Sequence, residues 1–348
     1  MHMADALLSP AVGTTFLAGT IAVSGYASKK LDKQLDDKLI PLMGVLGAFI
    51  FAAQMINFTI PGTGSSGHLG GGMILAIILG PYAAFLVMAS VLTVQALFFA
   101  DGGLLALGCN IWNLGFYPCF FVYPLIYKPL VGDSKNHGRI LVASLVSAVV
   151  ALQLGAFSVV METLLSGKSE LPFGAFVLLM QPVHLAIGIA EGFVTAGVIN
   201  YVLSARPEIL ESSAAARPLG AGVSLKKILI TFAVLAAITG GALSWFASVN
   251  PDGLEWSIEK VTGKGELREQ GHGIISILKS IQEKTAFLPD YGFKQGAKES
   301  QKKEAPSAWP GIEAGTSVAG IIGAAIVLGM IVLIGMGIRA VRRRQSER

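Results

Sequence analysis

Residues 73–100 read MILAIILGPYAAFLVMASVLTVQALFFA. The stretch carries no formal charge and is longer than the roughly 20 apolar residues that cross a bilayer as one helix. It holds one interruption, Gly80-Pro81. Proline removes a backbone donor and disfavours helix in the residue before it. Two helices are therefore predicted, a short one over about 68–80 and a full span from Tyr82 to Ala100. Working outward, the only formal charge between Leu39 and Tyr127 is Asp101. Further apolar runs cover Pro10–Ala27, Leu39–Phe58, Leu104–Tyr127, Ile140–Val160, Phe173–Leu203, Ile228–Val249 and Thr316–Ile338.

Composition agrees. Of 348 residues, 53% are hydrophobic and 14% charged, with a mean hydropathy of +0.65. That is too few charges to clothe a soluble surface, since soluble chains carry about 25% charged residues. The same numbers exclude disorder. The net charge of +4 is small and its basic residues fall in separate clusters, so no nucleic acid is expected as partner. The expected class is an all-α integral membrane protein of the cell membrane, with the lipid bilayer as its surroundings. Residues 1–205 form a seven-helix bundle, 206–224 a cytoplasmic linker, and 225–348 a two-helix accessory unit with an extracytoplasmic loop over 250–313. Basic clusters follow the first, fifth, seventh and ninth runs. With the break at Gly80-Pro81, all four fall on one side, the cytoplasm, leaving the N-terminus outside and the C-terminus inside. A cleaved signal peptide would want a basic start, and no Lys or Arg precedes Lys29. Cys109 and Cys119 lie ten residues apart on one apolar helix, too far for a bridge.

The chemistry is concentrated in a few residues. The chain opens MHMADALLSP. The Met1 amine, the His2 amide and a His2 ring nitrogen can close two fused chelate rings around one ion. Planar nitrogen donors suit Ni(II) or Cu(II) better than tetrahedral Zn(II). The candidate fourth nitrogen is His68, in GTGSSGHLGGG, predicted at the same outer level as the N-terminus. Gly62, Gly64 and Gly67 match GxGxxG, but no strand–helix–strand context supports a dinucleotide site. His184 and Glu191 are seven residues apart on one helix face, as a polar relay or a structural lock. Gly188 and Gly192 form a GxxxG pair for close helix contact. Asp5, Asn57, Gln95, Asp101, Asn110 and Asn113 are candidate supports for the ligands, or ordinary caps and interhelical hydrogen bonds. There is no HExxH and no P-loop; Glu162 stands where the latter needs glycine before Gly167-Lys168-Ser169.

Several stretches resemble the substrate-capture subunit of nickel/cobalt energy-coupling factor (ECF) transporters: MHMADALLSP, GHLGGGMILAIILGP, QALFFADGGLLALGCNIWNLG and HLAIGIAEGFVTAGVINYV with its trailing ARPE. LSWFASVNPDGLE, FLPDYGF and SVAGIIGAAIVLG resemble that system's small accessory subunit, here fused. The resemblance implies ATP-driven uptake of Ni(II) or Co(II) as bound cargo, with a transmembrane coupling protein and two ATP-binding subunits as partners and no enzymatic activity in this chain. It implies ligands at Met1, His2 and His68. Met3-Ala4-Asp5-Ala6 departs from the Ile-Pro-Asp-Gly of many relatives. Nickel is expected over cobalt from the Irving–Williams order. The competing expectations are a proton-coupled metal carrier, or an intramembrane metalloenzyme, each built on His184 and Glu191. The accessory unit shows no obvious ligand constellation, and His272 in its loop reads as solvated.

Overall fold

The computed structural model describes residues 2–32, 35–132, 134–220, 222–265, 267, 273–294 and 310–346. Met1 and His272 lie outside the described residues. The first helices are α1 (Pro10–Asp32) and α2 (Leu39–Gln54), followed by an antiparallel hairpin, β1 (Phe58–Ile60) and β2 (Ser65–Gly67). The apolar stretch breaks at Gly80-Pro81 into α3 (Gly72–Leu79) and α4 (Pro81–Phe99). The next crossing joins α5 (Leu107–Ile111) to α6 (Lys128–Val131) through a π-helical segment, Trp112–Tyr127, that contains Pro118 and Pro124. Prolines that cannot donate to the preceding turn fit the widened pitch. Then come α7 (His137–Leu165), α8 (Phe173–Ala205), α9 (Pro207–Ala214), α10 (Lys226–Gly241), α11 (Gly253–Thr262), α12 (Ile274–Thr285) and α13 (Ala314–Ser346). Five of these segments are long and apolar enough to cross a membrane. Leu178 and Leu333 are 73% and 69% exposed on them, as lipid-facing side chains are.

Three differences from expectation have local causes. The helix expected from about residue 68 starts at Gly72, because Gly71 sits at φ +77° and residues 65–67 pair with 58–60. That pairing also ends α2 at Gln54, short of Phe58. The segment read as a linker contains α9, opened by Pro207 in its first turn, where a missing N–H costs nothing. Cys109 and Cys119 are both buried free thiols.

Glycines set the closest approaches. A Cβ on Gly188 or Gly192 would lie 2.8 or 2.6 Å from the Cα of Val149 or Leu145 of α7. Gly240 of α10 and Gly320 of α13 meet backbone to backbone in the same way, and Gly47 of α2 receives Ile331 of α13. The accessory helices thus lie against α2. At one end of the molecule the basic clusters converge. Arg339 pairs with Asp37, Arg342 reaches the carbonyls of Asp32 and Leu35, Lys38 reaches Gly220 and Val223, and Lys128 reaches Ala214. The hairpin and the N-terminal segment lie at the other end.

Gly192→Val should destabilise the α7–α8 contact by about 1–3 kcal/mol through overpacking, read as a lower unfolding midpoint in detergent. Gly197→Ala on the same helix, whose Cβ would meet nothing within 4 Å, should not lower it.

Candidate metal site

The N-terminal segment is sewn down by polar contacts. Met3 is fully buried; its N–H donates to Asn110 Oδ1 at 2.8 Å, and Asn110 Nδ2 returns a bond to the Met3 carbonyl at 3.2 Å. The Gly103 N–H donates to the same carbonyl at 2.9 Å. Asp5 is buried and accepts from the Ala106 N–H at 3.0 Å. A Cβ on Gly103 would fall onto Asp5, so that position admits only glycine. These contacts set the path of the loop where Met3-Ala4-Asp5-Ala6 departs from the family pattern.

His68 arrives directly after β2. Its Nδ1 lies 3.0 Å from the Leu69 carbonyl. A carbonyl only accepts, so Nδ1 carries the hydrogen and Nε2 keeps its lone pair. The glycines that follow are clamped: Gly70 and Gly71 N–H groups donate to the two carboxylate oxygens of Glu191 at 2.7 and 3.0 Å. Gln54 Nε2 donates to the Gly70 carbonyl at 2.8 Å, and Gln95 Nε2 to Gln54 Oε1 at 2.9 Å. Glu191 is therefore a lock on the loop. His184 instead shares a small cavity with His68, its Nδ1 2.8 Å from the Met180 carbonyl.

The two segments meet at their imidazoles. The His2 and His68 rings are 9° from parallel with centroids 5.0 Å apart. His2 Nδ1 is 3.2 Å from Asp101 Oδ1, while among the described residues the geometry gives its buried Nε2 no hydrogen bond. Burial pushes both imidazoles down to about 3, so both are neutral at ordinary pH, the state in which imidazole ligates metal. Burial pushes the Asp101 carboxyl up, against the hydrogen bond it accepts. The Asn57 carbonyl accepts from the Ser248 N–H at 2.7 Å, and among the described residues its Oδ1 has no hydrogen-bond partner. Among the described residues no three His, Cys, Asp or Glu side chains are grouped to hold a metal.

The accessory unit reaches this site, which sequence reasoning missed. Ser66 of β2 takes the Pro251 carbonyl on its N–H at 2.8 Å, donates its hydroxyl to the Asn250 carbonyl, and bridges Asp252 in parallel. Asp252 joins His68 and His184 around the small cavity. Asp252-Gly253-Leu254-Glu255 is a legible capping box, with Asp252 Oδ1 accepting from Leu254 and Glu255 N–H groups at 2.8 and 2.9 Å. Gly253 lies against Val183 and His184, where a Cβ would clash. From the other end of the loop, the Tyr291 hydroxyl donates to Asp101 Oδ2 at 2.5 Å and its ring stacks on Phe99. Gln282 bonds the carbonyls of Ala96 and Gly102. Glu162, weighed only as a P-loop mismatch, is buried and receives Asn113 Nδ2 at 3.0 Å and Ser158 Oγ at 3.1 Å.

Comparison with known proteins adds a family. Residues 2–209 match the profile of the CbiM family, described as a cobalt uptake substrate-specific transmembrane region, and residues 226–340 match the PDGLE domain. The chain is 32% identical to an Archaeoglobus fulgidus protein described as "Putative fused nickel transport protein NikMN", over 95% of this chain and 96% of that one. It is 28% identical to the fused nickel transport protein NikMN of Rhodobacter capsulatus, over 99% of each. A crystal structure of a truncated transition metal transporter superposes with a TM-score of 0.53 at 31% identity, covering 59% of this chain and 99% of that one.

Asn110→Ala strips Met3 of both partners that Asn110 supplies. Amide exchange at Met3 should then rise by about five- to 150-fold, as expected for loss of a buried hydrogen bond worth about 1–3 kcal/mol. Unchanged protection would show that Gly103 and Asp5 suffice.

Proposed function

As a member of the CbiM cobalt-uptake family, this chain is a transport protein, and we propose that it captures one divalent transition metal ion as cargo, Ni(II) in preference to Co(II). The observation that carries the reading is the meeting of His2 and His68, brought from separate loops to 5.0 Å and both neutral. His68 offers Nε2. His2 offers its ring and amide, and the Met1 amine completes a four-nitrogen set. An amide-containing planar set favours Ni(II). The donors are main-chain and imidazole nitrogens, which fits the lack of a carboxylate or thiolate cage among the described residues.

We place the chain as the capture subunit of an ECF-type transporter. It works with a transmembrane coupling protein and two ATP-binding subunits, and its N-terminal site faces outward. The convergence of the basic clusters at the end opposite the hairpin supports that orientation. The proton-coupled carrier and the intramembrane enzyme lose their main support, because both Glu191 oxygens are occupied by Gly70 and Gly71. His184 and Asp252 border His68 and are positioned to orient it.

Calorimetry on the untagged chain tests the chelate. Inserting one residue between Met1 and His2 should abolish high-affinity nickel binding. His68→Ala should weaken it by more than the 10–100-fold typical of losing a supporting partner. Unchanged affinity in either refutes the site. The pH dependence follows in sign. Imidazoles released from the site titrate near 6.5 and the docked ones near 3. Between those values the open state binds more protons, so acid opposes docking and binding together. Nickel affinity should fall with pH throughout and more steeply below about 6.5; a flat curve from about pH 5 to 8, the range where histidine titrates, would contradict it.

A further inference from the structure

The end of the molecule where the basic clusters converge holds a cavity of about 690 Å³. Ligand sites usually measure about 300–1000 Å³. Three apolar spans, Leu107–Val131, His137–Leu165 and Phe173–Ala205, supply wall residues near that end, and the facing turns of α3 and α9 supply more. The lining is of three kinds. Ile77, Ile140, Ile199 and Leu203 form an apolar wall. Tyr123 and Tyr127, both buried and with rings 21° from parallel, stand beside it. Among the described residues, the exposed part carries Lys128, Lys135 and Arg217 against one carboxylate, Glu211. Lys135 and Glu211 pair at 2.8 Å and cancel, which leaves Lys128 and Arg217. Lys128 Nζ sits 5.9 Å from the centre of the Tyr123 ring and donates to the Ala214 carbonyl at 3.0 Å, one bond for an ammonium that can make three. The Arg217 main-chain N–H donates to the Ser212 carbonyl at 2.9 Å, while among the described residues the geometry gives its guanidinium no acceptor.

We propose that this cavity takes a phosphate group, carried by an anionic phospholipid of the leaflet at this end, and that the lipid ties α9 to the bundle. An apolar wall, then tyrosines, then cations is the order of a leaflet from its acyl chains to its headgroups. Tyrosine collects at that boundary, and Lys and Arg there attract anionic lipid. The guanidinium fork matches two phosphate oxygens, and the ammonium adds a point charge. A free phosphate would use the cations alone. A lipid uses the apolar wall as well, and gains from covering it. The two cations belong to different elements: Lys128 opens α6, and Arg217 follows α9. One headgroup held by both therefore adds a bridge to the bond that Ser213 Oγ donates to the Ile77 carbonyl at 2.9 Å. The cavity shares no lining residue with the one that His68 borders, so the proposal stands apart from the metal-capture reading.

The test is the thermal unfolding midpoint of the full chain, delipidated in neutral detergent, with added phosphatidylglycerol, phosphatidylcholine or inorganic phosphate. Phosphatidylglycerol should raise the midpoint in a saturable way, since a ligand that binds only the folded state stabilises it. Phosphatidylcholine and inorganic phosphate should not. The double variant Lys128→Gln, Arg217→Gln should need at least about tenfold more phosphatidylglycerol for half the shift, as expected when two cations near a headgroup are lost. The double variant Lys226→Gln, Lys227→Gln removes the same charge from the exposed start of α10, outside the cavity, and should leave the lipid response unchanged. Glu211→Gln frees Lys135 and should lower the amount of lipid required, a gain that misfolding cannot produce. Equal responses to the two lipids, or equal losses in the two double variants, overturn the site. Saturation by inorganic phosphate, with no further shift from phosphatidylglycerol, overturns the lipid assignment.

Discussion

The structure depends on satisfying irregular backbone in apolar surroundings. Between the α-helices, residues 2–9, 55–71 and 100–106 run outside any α-helix, with one 3-10 turn at Asp5–Leu7, while much of them is buried. An unmet amide there costs several kcal/mol. Side chains on the helices supply the missing partners. Glu191 takes two consecutive N–H groups, Gln54 gives to the Gly70 carbonyl, and Asn110 both accepts from and gives to Met3, as a neighbouring strand would. The two histidines are placed by this accounting.

The helices were legible because apolar length is a coarse and redundant signal. The break at Gly80-Pro81 was legible for a sharper reason, since proline forbids one specific hydrogen bond. The hairpin was not. Phe58–Ile60 and Ser65–Gly67 are three residues each, too short for alternation to register, and Ser65-Ser66-Gly67 has no strand preference. The β2 strand makes sense only once Ser66 is seen pairing with Pro251, some 180 residues away in sequence. His2 and His68 stood out by residue type. Asp252, Tyr291 and Glu162 did not, because each looks ordinary alone: a helix cap, a loop aromatic, a carboxylate near a helix end. Their partners His68, Asp101 and Asn113 lie on distant segments.

The accessory unit belongs physically to the site. Of its helices, α13 packs on α2 at Gly47 and α10 at the Phe49–Phe232 ring pair, and its loop returns at two points, Asn250–Asp252 on the hairpin and Gln282–Tyr291 on the residues around Asp101. One return flanks His68 and the other flanks His2. Joining the two parts in one chain makes this docking intramolecular, so it holds at any protein concentration.

The two neighbouring imidazoles are held unequally. His68 is pinned by the Leu69 carbonyl on Nδ1 and by the glycines that Glu191 holds behind it. Among the described residues, the geometry gives His2 Nε2 no hydrogen bond, and Asp101 stands beside its Nδ1. Asp101 is itself tied to Tyr291. His2 is therefore the less constrained of the two rings, and the carboxyl group beside it is one whose position the accessory loop sets.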